Sequence, residues 1–211
     1  MQLETAQVYI AEGAHKSAVE STLRARLESL AGREGHVSFA RNLEDCWGAG
    51  DYTLDFLPGG DRSQGNTAIA DLSRIAGIAR FDHVTYESIG GRLRQPGLSD
   101  GIWRTLMFRV RAGADDARIA NLERELLQMP LYMAGIRNWR LSRVTTPNTW
   151  THVWQQEFAS VDDLRGEYLM HPFHWAWVDR FFDAEHPEWI VDAISHAACP
   201  IASSLLAHST P

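Results

Sequence analysis

The chain is short of lysine and cysteine and has no long apolar run. Lys16 is the only lysine among its 20 Lys and Arg residues, a skew that reflects genome composition more readily than a task for guanidinium groups. Its 2 cysteines, Cys46 and Cys199, have no partner motif, so they read as free thiols in a reducing compartment with a structural role, not as a disulfide framework. No stretch approaches the roughly 18 continuous apolar residues of a membrane span. The start, "MQLETAQVYI", lacks the basic and apolar blocks of a leader. These absences lead us to expect a soluble, cytoplasmic protein. No charge block is present either: residues 1–100 hold 10 basic and 14 acidic side chains, residues 101–211 hold 10 and 13, and the net charge is −7. That balance argues against a nucleic-acid arm. The expected partner is a small molecule, with no nucleic acid and no membrane.

What is present is enough apolar content, 45% of 211 residues, for a real core, and one internal repeat. "AQVYIAEG" reads as a strand. "HKSAVESTLRARLESLAG" places Val19, Leu23, Leu27 and Leu30 at helical spacing. "HVSFARNL" and "DYTLDFL" read as strands, "PGGDRSQGN" as a loop, "TAIADLSRIAGIA" as a helix and "FDHVTYESIG" as a closing strand. About 100 residues on, the order returns. It runs through strand "RTLMFRVRAG", a helix with Ile119, Leu122, Leu126 and Met129 on one face, strands "RNWRLSRV" and "TWTHVWQQEF", helices over 161–182, and strand "EWIVDAIS".

Each half is therefore β-α-β-β-α-β, the ferredoxin-like plan, with a bare sheet face that the other half can cover. The expected fold class is α+β, two such repeats forming one pseudo-dimeric α/β-barrel body. The expected boundaries are a degenerate repeat over 1–92, a linker over 93–101, a site-bearing domain over 102–200 and a tail over 201–211. A homodimer of such bodies is the further assembly this allows.

Chemical equipment is concentrated in the second half, with six of 9 histidines and seven of 8 tryptophans. Strand alternation puts Trp150, His152, Trp154, Gln156 and Phe158 on one face, toward the helices. In "EYLMHPFHWAWVDRFF", helical spacing turns Tyr168 to the sheet, and Pro172 should break the helix near 171 and begin a second one. The break can aim Tyr168 and His174 into one space, where a nearby positive helix end would keep the imidazole neutral. Three readings stay open at this point. The stretch is plain aromatic core with Phe173, Trp177 and Phe181. Or it is a zinc site from His152, His171, His174 and Asp179, although no recognised ligand spacing is present. Or it performs metal-free acid–base chemistry through Tyr168 and His174.

"THVWQQEFASVDDLRGEYLMHPFHWAWVDRF" resembles the signature of the stress-responsive α/β-barrel (Dabb) family, with its T-H strand, F-x-S turn and Y-x-x-H-P-x-H stretch. The second half is similar to the family's polyketide cyclases of the olivetolic acid type; the first half resembles the family only in its order of elements. The resemblance implies a cofactor-independent lyase or cyclase without a metal, acting on a small carbonyl-bearing aromatic or polyketide-like compound. Tyr168 and His174 would be catalytic, His152 and His171 would orient them or bind substrate, and Trp154 and Trp177 would wall the pocket. Arg104 stands where those cyclases carry a further histidine. It could hold a substrate carboxylate, exposed salt-bridging being its plainer role. Trp154 replaces a small aliphatic residue, which argues against a long polyketide tail. Two other functions fit the same fold: a non-catalytic stress or small-ligand-binding protein, and a cofactor-free oxygenase.

Overall fold

The computed structural model describes residues 2–58 and 69–209. The first half contains β1 (Leu3–Ile10), α1 (Lys16–Glu34), β2 (Gly35–Arg41), β3 (Tyr52–Pro58) and β4 (Ile78–Leu93). The second contains β5 (Ser99–Val110), α2 (Asp116–Tyr132), β6 (Ile136–Val144), β7 (His152–Phe158), a broken helical segment from Val161 to Phe181, and β8 (Val191–Ser203). One antiparallel sheet of eight strands runs β2-β3-β1-β4-β6-β7-β5-β8. Each half has the same ferredoxin-like strand order. The α+β pseudo-dimer expected from the repeat is the observed fold.

β1 and β3 match β5 and β7 residue for residue at an offset of 100. Thr5 pairs with Asp55 and Thr105 with Gln155; Glu4 pairs with Phe56 and Arg104 with Gln156. Gly13 and Gly113, each just past its strand, have φ of 79° and 78°, a left-handed turn that glycine accepts without a Cβ penalty. α1 buries Val19, Leu23 and Leu27, and α2 buries Leu122, Leu126 and Met129, the faces their spacing predicts. Asp115 caps α2 by accepting from Ala117 N at 2.7 Å.

Three elements differ from expectation. The helix read over 67–79 is a single 3-10 turn, Ala70–Arg74, because Ile75 is extended and Gly77 is left-handed at φ 91°. Most of the preceding loop, 59–66, and the start of that helix lie outside the described residues. β4 runs to Leu93 and β5 starts at Ser99, so only Arg94 to Leu98 connect the halves. β8 continues to Ser203, into the stretch read as a tail.

The two seams between the halves are unlike. At one, β4 and β6 form a ladder from Tyr86↔Val144 to Leu93↔Asn138. At the other, the segment after β2 lies along β8: Leu43 N donates to Ala198 O at 2.8 Å, and Trp47 and His196 exchange backbone bonds of 3.1 and 2.8 Å. Gly48 permits this approach, since a Cβ there would lie 2.6 Å from Ile194 O.

Inside the barrel the sheet faces meet through polar groups as well as apolar ones. Asp55 accepts from Trp103 Nε1 at 2.8 Å and from Gln155 Nε2 at 3.0 Å. Gln155 also donates to Tyr86 Oη and accepts from Arg140 Nη2, at 2.9 and 2.8 Å. Burial pushes the Asp55 carboxyl up to about 7, against the pull of Trp103, Arg140 and Gln155. The folded chain therefore holds a proton that an unfolded aspartate, near 3.8, would release. This contribution to stability is complete below pH ~4 and is lost as pH rises through ~7. The Tm difference between the wild type and Asp55→Asn should therefore shift toward the variant between pH 4 and 8; a difference constant over that range would contradict the assignment.

Candidate active site

Alternation along β5 sends Ile102, Arg104, Leu106 and Phe108 toward the helices, while Trp103 and Thr105 enter the barrel. Arg104 is thereby placed between sheet and helical segment at 3% exposure. Its Nε donates to His196 Nε2 at 2.8 Å, and its Nη1 donates to Gln156 Oε1 at 2.6 Å. Its guanidinium lies 4.9 Å from the centre of the Tyr168 ring. The expectation of an exposed, salt-bridged Arg104 is not met. Among the described residues no carboxylate is within 4.0 Å of it, because the groups the fold packs around it are a phenol, an amide and two imidazoles.

The helical segment breaks where Pro172 requires. Leu164–Tyr168 and Phe173–Val178 are both π turns, and Pro172 begins the second part. Tyr168, 1% exposed, packs edge-on to Phe158 at 5.4 Å, and its ring centre is 4.7 Å from that of His174. His174 Nδ1 lies 3.7 Å from Asp179 Oδ2, beyond hydrogen-bond length. The break thus brings together the two side chains that a continuous helix would separate.

Burial sets the protonation states of this layer. It lowers His174 to about 4, helped by Arg104, and lowers His196 to about 3, helped by Arg104 and then His174. Burial, helped by the adjacent guanidinium, thus keeps His174 neutral. Burial also pushes Tyr168 up to about 12 against the pull of Arg104, and raises the Asp179 carboxyl and the Cys46 thiol. At pH 7 Tyr168 is a hydroxyl donor and both histidines are neutral. The hydrogen bond from Arg104 requires His196 Nε2 to be the unprotonated nitrogen.

Other residues read from the sequence lie elsewhere or have other partners. His152 is four residues along β7 from Gln156, roughly 13 Å at the rise of a strand. There its Nε2 is 3.0 Å from Glu123 Oε1 and its ring stacks on Phe108 at 4.7 Å. Alternation ends at the first residue of β7, so Trp150 packs instead with Met107 and Val153 at the barrel interior. His171 turns back on its own segment, Nδ1 accepting from Phe173 N at 3.0 Å. Trp177 is 53% exposed, with Arg180 over its ring; a π turn takes more residues than an α turn, which swings this position outward. Trp154 is fully buried beside the site, its indole N–H without a partner among the described residues. His152, His171 and His174 do not converge, and no group of three or more potential metal ligands occurs among the described residues. His196 and Gln156 were not singled out by sequence reasoning. Reading β8 as the strand beside Arg104 would have found His196, one residue pair along from Ala198 on the same face.

The arrangement around His152 is an ion-pair network. Burial opposes ionisation of Glu123, but bonds from His152 and Arg143 hold it down at about 2. Its stabilising effect is present above ~4.5 and is lost as pH falls toward 2. His152→Ala should cost roughly 1–3 kcal/mol in urea unfolding and flatten the acid limb of stability. An unchanged midpoint would contradict the network.

The eight-stranded, tandem ferredoxin-like arrangement is that of a pseudo-dimeric α/β barrel, here with a tyrosine–histidine pair beneath the helical segment. Within the chain, residues 102–192 match the family model of the Stress responsive A/B Barrel Domain, Dabb. Solved structures align with nearly the whole chain at low identity. An anthrone oxidase-like protein is 8% identical with a TM-score of 0.63, covering 95% of this chain and 90% of its own. A chlorite dismutase mutant from Candidatus Nitrospira defluvii is 10% identical with a TM-score of 0.55, covering 94% and 90%. A major regulator of staphylococcal pathogenesis is 9% identical with a TM-score of 0.54, covering 95% and 100%. Such likeness establishes the fold alone. The comparison with curated proteins found no relative.

Proposed function

We propose that the second half is a cofactor-independent lyase or cyclase acting on a small carbonyl-bearing, aromatic or polyketide-like compound. The observation that supports this best is the Tyr168–His174 pair, 4.7 Å apart between ring centres, with a neutral imidazole and an un-ionised phenol. His174 takes a proton from a carbon or hydroxyl next to the substrate carbonyl. From carbon, the freed electron pair moves onto the carbonyl oxygen as an enolate; from a hydroxyl, it stays on that oxygen; in either case the Tyr168 hydroxyl donates a hydrogen bond to the oxyanion. The electron pair then forms a new carbon–carbon bond, as in a cyclase, or expels a leaving group, as in a lyase. His174 returns its proton to the oxygen or leaving group. Gln156 and Arg104 hold the layer in place through their mutual bond of 2.6 Å.

The enclosure of Tyr168, 1% exposed, favours as a second reading a non-catalytic barrel that binds a small apolar metabolite. A thermal-shift screen of aromatic acids, phenols and polyketide analogues, followed by mass analysis of each mixture, separates the two: conversion supports the enzyme, binding without conversion supports the binder. For a converted compound, His174→Ala and Tyr168→Phe should each lower turnover by roughly a hundredfold or more with the fold intact. Full activity in both variants would rule the mechanism out. Since His174 must be unprotonated, and its pKa is about 4, kcat/KM should stay level through neutral pH and fall only near pH 4.

A further inference from the structure

The repeat places Glu4 where the second half has Arg104, and His83 where it has His196. Glu4 pairs across the sheet with Thr85 and lies diagonal to His83; Arg104 pairs with Ala198 and lies diagonal to His196. In the first half the contact joins an imidazole to a carboxylate, His83 Nε2 to Glu4 Oε2 at 2.9 Å. In the second the same contact joins a guanidinium to a neutral imidazole at 2.8 Å. The first copy buries a carboxylate beside a group that can carry the opposite charge. The second buries a cation beside one that cannot.

An isolated buried charge is strongly disfavoured unless paired. Around Arg104 stand Tyr168, His174, His196, Cys46 and Asp179; of these only Asp179 can be anionic, and it lies outside ion-pair distance. Arg104 Nη2 makes no hydrogen bond to any described residue, so its N–H donors remain free to meet an acceptor oxygen. We propose that Arg104 and His196 form an anion-binding site for the carboxylate of an organic acid, and that the substrate class is a carboxylic acid whose reacting carbonyl then faces Tyr168 and His174. This specifies the substrate of the acid–base site and rests on that reading for its second clause only.

The first half shows that the fold accepts the opposite charge at this position, so Arg104→Glu rebuilds the Glu4–His83 pair as Glu–His196. Titration calorimetry on the full chain at neutral pH would use benzoate and salicylate against methyl benzoate and methyl salicylate. The acids should bind saturably and the esters at least about tenfold more weakly, and Arg104→Glu should weaken the acids by at least about tenfold. Arg104→Gln serves as a second variant and should give the same loss. Bound acid should also raise the titration midpoint of His174, read by NMR in the wild type, and not in Arg104→Gln. Esters binding as tightly as acids, undiminished acid binding in both variants, or no saturable binding of either acid would overturn the proposal. Benzoate has no proton for His174 to remove, so its binding is scored apart from turnover. Acid binding through Arg104 without conversion of any compound would sink the enzyme and keep the site.

Discussion

A four-stranded ferredoxin-like sheet covers one face with helices and leaves the other bare, and the architecture of this chain follows from that requirement. The two bare faces close on each other, and because both carry polar side chains, closure depends on pairing them across the halves. Asp55 and Tyr86 from the first half meet Trp103, Arg140 and Gln155 from the second, with Gln155 bonded to residues of both. A buried network of this kind is stable only when its members are satisfied together, so the halves are fixed in one register. The outer layers are then free to differ: among the described residues one carries a 3-10 turn, Ala70–Arg74, and the other the broken helical segment.

Around Tyr168 and His174 a single effect, loss of water, moves the titratable groups in one direction. It raises tyrosine, thiol and carboxyl and lowers imidazole, so each tends to its uncharged form. Arginine alone keeps its charge under such conditions. The electrostatic character of the layer is therefore set by one residue, and the neutrality of both histidines is in part a response to it. A base near pH 4 is weak by itself, and an anion bound at Arg104 would strengthen it by cancelling the charge that depresses it.

Much of the fold was legible from the order of elements, because period and turn chemistry are local. The Pro172 break was legible for the same reason, since a missing donor and a ring clash act on the neighbouring turn. What failed needed distances along or between elements. Alternation put His152 on the helix-facing side of β7 correctly but could not say that it lies a strand's half-length from Gln156. Helical spacing at 67–79 did not foresee an extended Ile75. The burial of Arg104 depended on two strands and a helical segment far apart in the chain. The resemblance over 150–182 pointed to Tyr168 and His174, and it was silent on His196, which lies beyond it.

The short connection between β4 and β5 has a further consequence. Were the two halves separate copies of one chain, every position would occur twice with the same residue, as symmetric assembly requires. Glu4 and Arg104 could not coexist there. Joining the copies end to end releases that symmetry. One copy can then serve as scaffold, with its buried charge matched internally, while its twin holds an unmatched charge in the same framework.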